Sequence, residues 1–147
     1  KQQPVAKDFR EVSTALKMIT DIERFGDQAA DIGDLVYTMP GEAYIKNLTH
    51  ITAMGELAIK MVRESVNSFI NNDEALADEV IALDDQMDDL FIEVKTELIE
   101  LIKKDGNNGD QGIELMMVAK YLERIGDHAV NVAEWTKYNE TGVHQKF

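Results

Sequence analysis

Apolar side chains recur at alternating spacings of four and three along four long stretches of the chain, the period of a helix with a buried face. The first stretch opens at Pro4, a residue suited to the first helical turn. Val5, Phe9, Val12, Leu16 and Ile19 make one stripe along it. Ala15, Met18, Ile22, Phe25, Ala29, Ile32 and Val36 make a second beside the first, and two adjacent stripes call for two neighbouring helices. Met39, Pro40 and Gly41 should stop this helix. A second helix is expected over residues 43–71, with Leu48, Ile51, Met54, Ala58, Met61, Val62 and Phe69 turned inward. Asn71 and Asn72 end it, and Asp73 is placed to cap a third. That third helix carries Leu76, Val80, Leu83, Met87, Leu90, Val94, Leu98 and Leu101, and closes at the loop Asp105 to Gly109. A fourth is expected over residues 110–138, with residues 140–147 as a frayed tail. No strand-like alternation competes, so the pattern predicts an all-α, antiparallel helical bundle.

Within this pattern one stretch occurs twice. Asp21-Ile-Glu-Arg-Phe-Gly-Asp-Gln-Ala-Ala-Asp-Ile32 returns, without a gap, as Tyr121-Leu-Glu-Arg-Ile-Gly-Asp-His-Ala-Val-Asn-Val132. Such self-similarity fixes the architectural unit. Two helices separate the copies, so the unit is three helices with the motif on the last. The chain then divides into residues 1–40, the motif helix of an incomplete first unit, and residues 41–140, a complete second unit. Glu23 and Asp27 are four apart, as are Glu123 and Asp127, which puts each pair on one helix face with about 6 Å between Cβ atoms. Gly26 and Gly126 stand between them; an interior glycine costs a helix roughly 1 kcal/mol, so its recurrence points to a close approach at the backbone.

Composition narrows the function. The 147 residues suit one domain or one and a part, and 44% hydrophobic residues can build a core. Fifteen basic residues against 28 acidic ones give a net charge of −13, which opposes nucleic-acid binding and favours cations. With no cysteine there is neither a disulfide framework nor a thiolate metal site. No apolar run is long enough to span a membrane, and no signal peptide is recognisable, so the cytoplasm is the expected address. Lys1 rather than Met opens the sequence, which therefore reads as a fragment.

The third helix is where charge becomes chemistry. From Asp73 to Glu100 there are eleven carboxylates and one basic residue, Lys95. Most belong to a solvated face. Asp84 and Asp88 instead fall in line with Ile81 and Phe91, and Glu23 continues the row Val12, Leu16, Ile19, so all three lean inward. An inward carboxylate must be neutral, paired or metal-bound. Pairing the two helices of one unit brings Asp84 and Asp88 opposite Glu123 and Asp127. With no lysine between them the four repel, and a divalent or trivalent cation relieves the repulsion; oxygen-only donors favour hard ions. The competing reading pairs the acids with Arg24 and Arg124. His128 lies about 100° round the helix from Asp127 and reads as a surface or interhelical residue rather than a ligand. His50 and His144 have no carboxylate partner close in sequence, and Trp135 and Tyr138 anchor the end of the last helix. No Glu-x-x-His pair, phosphate loop or Ser–His–Asp set is present, so catalytic residues are not expected and the chain reads as a non-enzyme.

The doubled Glu-Arg-x-Gly-Asp-x-Ala motif resembles the PhoU family of phosphate-uptake regulators, and so do Gln3-Pro-Val-Ala-Lys-Asp8 and Val80-Ile-Ala-Leu-Asp-Asp-Gln-Met-Asp-Asp-Leu90. The resemblance covers essentially the whole chain. It implies two tandem three-helix bundles, of which this chain lacks the first two helices. It implies metal clusters on acidic motifs, here Glu23 and Asp27 in the first unit and Asp84, Asp88, Glu123 and Asp127 in the second; the ion would be iron, manganese, magnesium or zinc. Asp31 becomes Asn131 in the second copy, which weakens a ligand role there. It further implies a cytoplasmic, often dimeric, peripheral regulator that works with the ATPase of the phosphate-specific ABC transporter and a sensor histidine kinase, repressing phosphate-starvation genes when phosphate is plentiful. Two alternatives are a carboxylate bundle for metal storage or redox chemistry, and an accessory domain of a phosphate symporter.

Overall fold

The computed structural model describes residues 4–38 and 49–141. Four long helices account for them: α1 (Pro4–Thr38), α2 (Thr49–Ile70), α3 (Glu74–Lys104) and α4 (Gly109–Thr141), with one 3₁₀ turn at Gly106–Asn108. The expected stop at Met39–Gly41, the first turns of the second helix and the tail beyond residue 141 lie outside the described residues. The last helix begins one residue before its expected start and runs three beyond Tyr138.

The turns follow from their residues. Asn72 takes φ 50°, a left-handed conformation that asparagine tolerates better than most residues, and so turns α2 toward α3. The Asp73 side chain then accepts a hydrogen bond from the Leu76 amide at 3.0 Å, capping α3. At the other end Asp105 accepts from the Asn107 amide, and the Asn108 side chain donates to the Leu101 carbonyl, so the loop satisfies a helix terminus that would otherwise stay bare.

Helices α2, α3 and α4 pack on one another, while among the described residues α1 packs on α4. Chain direction alternates. Met61 and Met87 meet beneath Gly126, and Ser68 bonds Thr136 at 3.0 Å, so α2 and α4 run parallel. Lys137 holds Asp78 at 2.6 Å near one end of the α3–α4 pair, and Gly112 meets Ile102 at the other, so α3 runs antiparallel to α4. The core centres on Met54, Met61, Val80, Met87, Val94 and Val132, all fully buried or nearly so. Burying one such side chain contributes about 1.5–3 kcal/mol. Ala77, Ala119, Ala129 and Ala133 let the helices approach closely. His50 was read as lacking a partner near in sequence; it ties the start of α2 to α3 through Glu93 at 2.8 Å and through Glu97.

Helices α1 and α4 cross as antiparallel partners at their motifs. Asp21 lies 3.5 Å from His128, whose ring meets Phe25 edge-on with centroids 6.3 Å apart. Phe25 and Ile125, which occupy the same position in the two copies, are both buried at the crossing. Only part of the double stripe on α1 is covered. Val12, Leu16 and Ile19 are 60%, 61% and 52% exposed, and Glu23, which continues their row, is exposed too. The inward placement expected for that row is therefore corrected: the face it occupies meets no other described helix.

A candidate metal centre between α3 and α4

Asp84 and Asp88 stand on successive turns of α3, and Glu123 and Asp127 on successive turns of α4. Because the helices are antiparallel, the two pairs come within electrostatic range of one another. The consequence is read in their proton affinities. Burial, and then the charges of Asp88, Asp127, Asp85 and Glu123, push the Asp84 carboxyl up to about 6. Partial loss of hydration followed by the charge of Glu123 raises Asp88. The same two causes, with Asp88 added, raise Asp127. Asp84 feels the charges of Asp88, Asp127 and Glu123 across the two helices; Asp84 and Glu123 are half-buried, while Asp88 and Asp127 open to solvent.

Whether these groups suit a metal ion is decided by their oxygen atoms. Asp84 Oδ1 is enclosed and has no hydrogen-bond partner among the described residues, so from them it lacks the donor or cation that a buried carboxylate oxygen needs. A cleft of about 470 Å³ opens beside it, lined by Asp84, Asp85, Asp127 and Asn131 among apolar neighbours. The donor set is all oxygen, which fits a hard cation. The cage is not closed, however: among the described residues no three histidine, aspartate or glutamate side chains converge tightly enough to hold an ion as they stand.

The cluster also holds a residue that the sequence reading missed. Lys120 Nζ donates to Glu123 Oε1 at 2.7 Å and lies 5.4 Å from the centre of the Phe91 ring. The cluster was expected to hold no lysine; it does, from one turn earlier on α4, and the three-residue spacing of Lys120 and Glu123 was the available signal. The competing reading, which pairs the arginines with neighbouring acids, is met only in part among the described residues. Arg124 lies over the Tyr121 ring at 5.8 Å, and Arg24 acts on Asp21, lowering a carboxyl that burial raises more strongly.

The first acidic pair is a different case. Glu23 and Asp27 are both exposed, and among the described residues α1 does not pack on α3. The structure brings no described carboxylate opposite them. The two glycines diverge likewise. A Cβ on Gly126 would meet Met87 Cγ and Cε at 3.5 Å and Met61 Cε at 3.6 Å, whereas one on Gly26 would meet nothing within 4 Å. At Gly126 the neighbouring protein atoms are methionine side chains at ordinary van der Waals contact. Two buried acids escaped the sequence reading. Asp21 sits at the α1–α4 crossing, and Glu134 is held near neutrality by burial, at about 7. Neither breaks the apolar period of its helix enough to be noticed.

The family model described as "PhoU domain" matches residues 1–36 and 51–136. A phosphate-specific transport system accessory protein PhoU homolog of Clostridium acetobutylicum is 37% identical over 142 residues, covering 96% of this chain and 65% of that protein. One from Deinococcus radiodurans is 32% identical over 140 residues, covering 95% and 66%. The crystal structure of PhoU from Pseudomonas aeruginosa superposes with a TM-score of 0.90 at 28% identity, covering 97% of this chain and 69% of that one. The phosphate transport system regulatory protein PhoU from Streptococcus pneumoniae superposes at 0.86 with 25% identity, covering 100% and 68%. The chain thus spans a little under two thirds of the length of these curated relatives.

Proposed function

The chain belongs to the PhoU family, and from that premise we propose that it is a metal-binding regulator of phosphate uptake and phosphate-starvation signalling rather than an enzyme. The relatives are named as accessory to the phosphate-specific transport system, which supports the transport half of this reading. What supports the metal half is the mutual electrostatic effect of Asp84, Asp88, Glu123 and Asp127, together with an enclosed Asp84 oxygen that has no hydrogen-bond partner among the described residues. A bound ion would supply positive charge that lets the carboxylates stay ionised together. This chain's own contribution is to hold two acidic pairs at one level on antiparallel helices and to shield one side with apolar neighbours.

The partners in this reading are the ATPase of the phosphate transporter and a sensor histidine kinase, engaged as a negative regulator in the cytoplasm. Among the described residues no helix is long and apolar enough to cross a membrane. Division into an incomplete first unit, residues 1–40, and a complete second unit, residues 41–140, accords with α1 packing, among the described residues, on α4. A homodimer completes the proposal. The test is retention of purified transporter ATPase or sensor kinase on the immobilised chain, with and without chelator. Retention that weakens on chelation and in the Asp88→Ala, Asp127→Ala double variant supports the reading. Retention of neither protein under any condition overturns it.

A further inference from the structure

We propose that Lys120 is a built-in counter-cation of the acidic cluster, held on Glu123 until a metal ion displaces it, and that it therefore sets the affinity of the site. The inference rests on the metal-binding reading above. Its first support is geometric: Lys120 Nζ and Glu123 Oε1 are 2.7 Å apart, and the half-exposed lysine also lies 5.4 Å from the centre of the Phe91 ring of α3. Its second is electrostatic. The positive charge of Lys120 acts against the repulsion at Asp88 and, after His128, at Asp127. One ammonium thus serves a set of carboxylates rather than a single partner. Its third is the repeat. The residue equivalent to Lys120 in the first copy is Thr20, although Glu, Arg, Gly, Asp and Ala all recur in register. Lysine is therefore no requirement of the motif helix. It stands in the copy whose acids face other acids, and is absent from the copy whose acids face none among the described residues.

A cation arriving at the cluster meets two obstacles from this residue. Glu123 is already engaged, and a positive charge one helical turn away repels the incoming ion at a distance too short for salt to screen it. Because Lys120 is half-exposed, it can swing clear into solvent.

Titration calorimetry with manganese on the full chain tests this with three proteins: wild type, Lys120→Gln and Lys120→Arg. Removing the charge should tighten manganese binding on the order of tenfold. Keeping it as arginine should leave affinity near the wild-type value. In chelator, Lys120→Gln should melt below wild type, and saturating manganese should remove the difference. Equal or weaker manganese binding by Lys120→Gln, with the wild type binding normally, overturns the inference and leaves the metal reading intact. A wild type that binds no manganese rejects the metal reading itself, and the inference falls with it.

Discussion

Gly126 is pressed against Met87: a β-carbon at that position would stand 3.5 Å from both Cγ and Cε of the methionine, at ordinary van der Waals contact. Met87 is wholly buried, so nothing larger than a methyl group fits without moving the core. Gly126→Ala should be tolerated, since it fills the contact distance and removes a helix-weakening glycine. Gly126→Leu should cost about 1–3 kcal/mol through overpacking. Gly26→Ala, where the added carbon meets nothing, should stabilise the chain by up to about 1 kcal/mol. Chemical denaturation of the three variants checks the contrast; a Gly126→Leu protein as stable as wild type refutes the packing account.

Stability without metal should fall as pH rises through neutrality. The folded chain holds the Asp84 proton up to about 6 and the Glu134 proton up to about 7, above their ordinary values of 3.8 and 4.5. Folding thus takes up protons at these groups. The stability they contribute is fully present below the ordinary carboxyl range and is lost as pH climbs through 6 to 7. Melting curves in chelator from about pH 5 to about pH 8 should move steadily downward, and Asp84→Asn should flatten the lower part of the decline. Melting temperatures that rise across that range contradict the assignment of these two acids.

The sequence made the four helices legible because each carries enough four-three turns to outweigh local exceptions, and because Asp73 and the Asp105–Gly109 run mark their ends. It made the acidic centre legible because carboxylates four apart on two helices can meet only if those helices are neighbours. What it hid were relations that depend on which way a face turns. The stripe Val12, Leu16, Ile19 shows that one side of α1 is apolar, but period alone says nothing of what covers it, and in the structure no described helix does. Glu23 went astray with that stripe. His50 finds Glu93 and Glu97 more than forty residues away, beyond the reach of spacing arguments. Lys120 was visible three residues before Glu123, yet whether a lysine folds back or points to water depends on the Phe91 ring across the interface.

The exposed stripe on α1 makes self-association the expected behaviour of this 147-residue chain. Val5 and Phe9 are 76% and 75% exposed and lead into Val12, Leu16 and Ile19 along one face. A contiguous apolar surface of more than several hundred Å² normally marks an interface. Light scattering at micromolar concentration should report a dimer or larger species, and Val12→Glu with Leu16→Glu should shift it toward monomer. A wild-type monomer with α1 strongly protected in hydrogen exchange would show that the face needs no cover.

Duplex DNA should not be retained at physiological salt. The net charge of −13 leaves no basic footprint to release counterions. Micromolar binding in a gel shift would contradict this.

Manganese titration of the wild-type chain beside the Asp88→Ala, Asp127→Ala double variant tests the central claim most directly. The variant removes one carboxylate from each helix and leaves the buried core, including Met87 and Met61, untouched. Saturable binding by the wild type that disappears in the variant, with both proteins equally helical, is the expected result. Undiminished binding by the variant would place any metal elsewhere and contradict the assignment of Asp84, Asp88, Glu123 and Asp127.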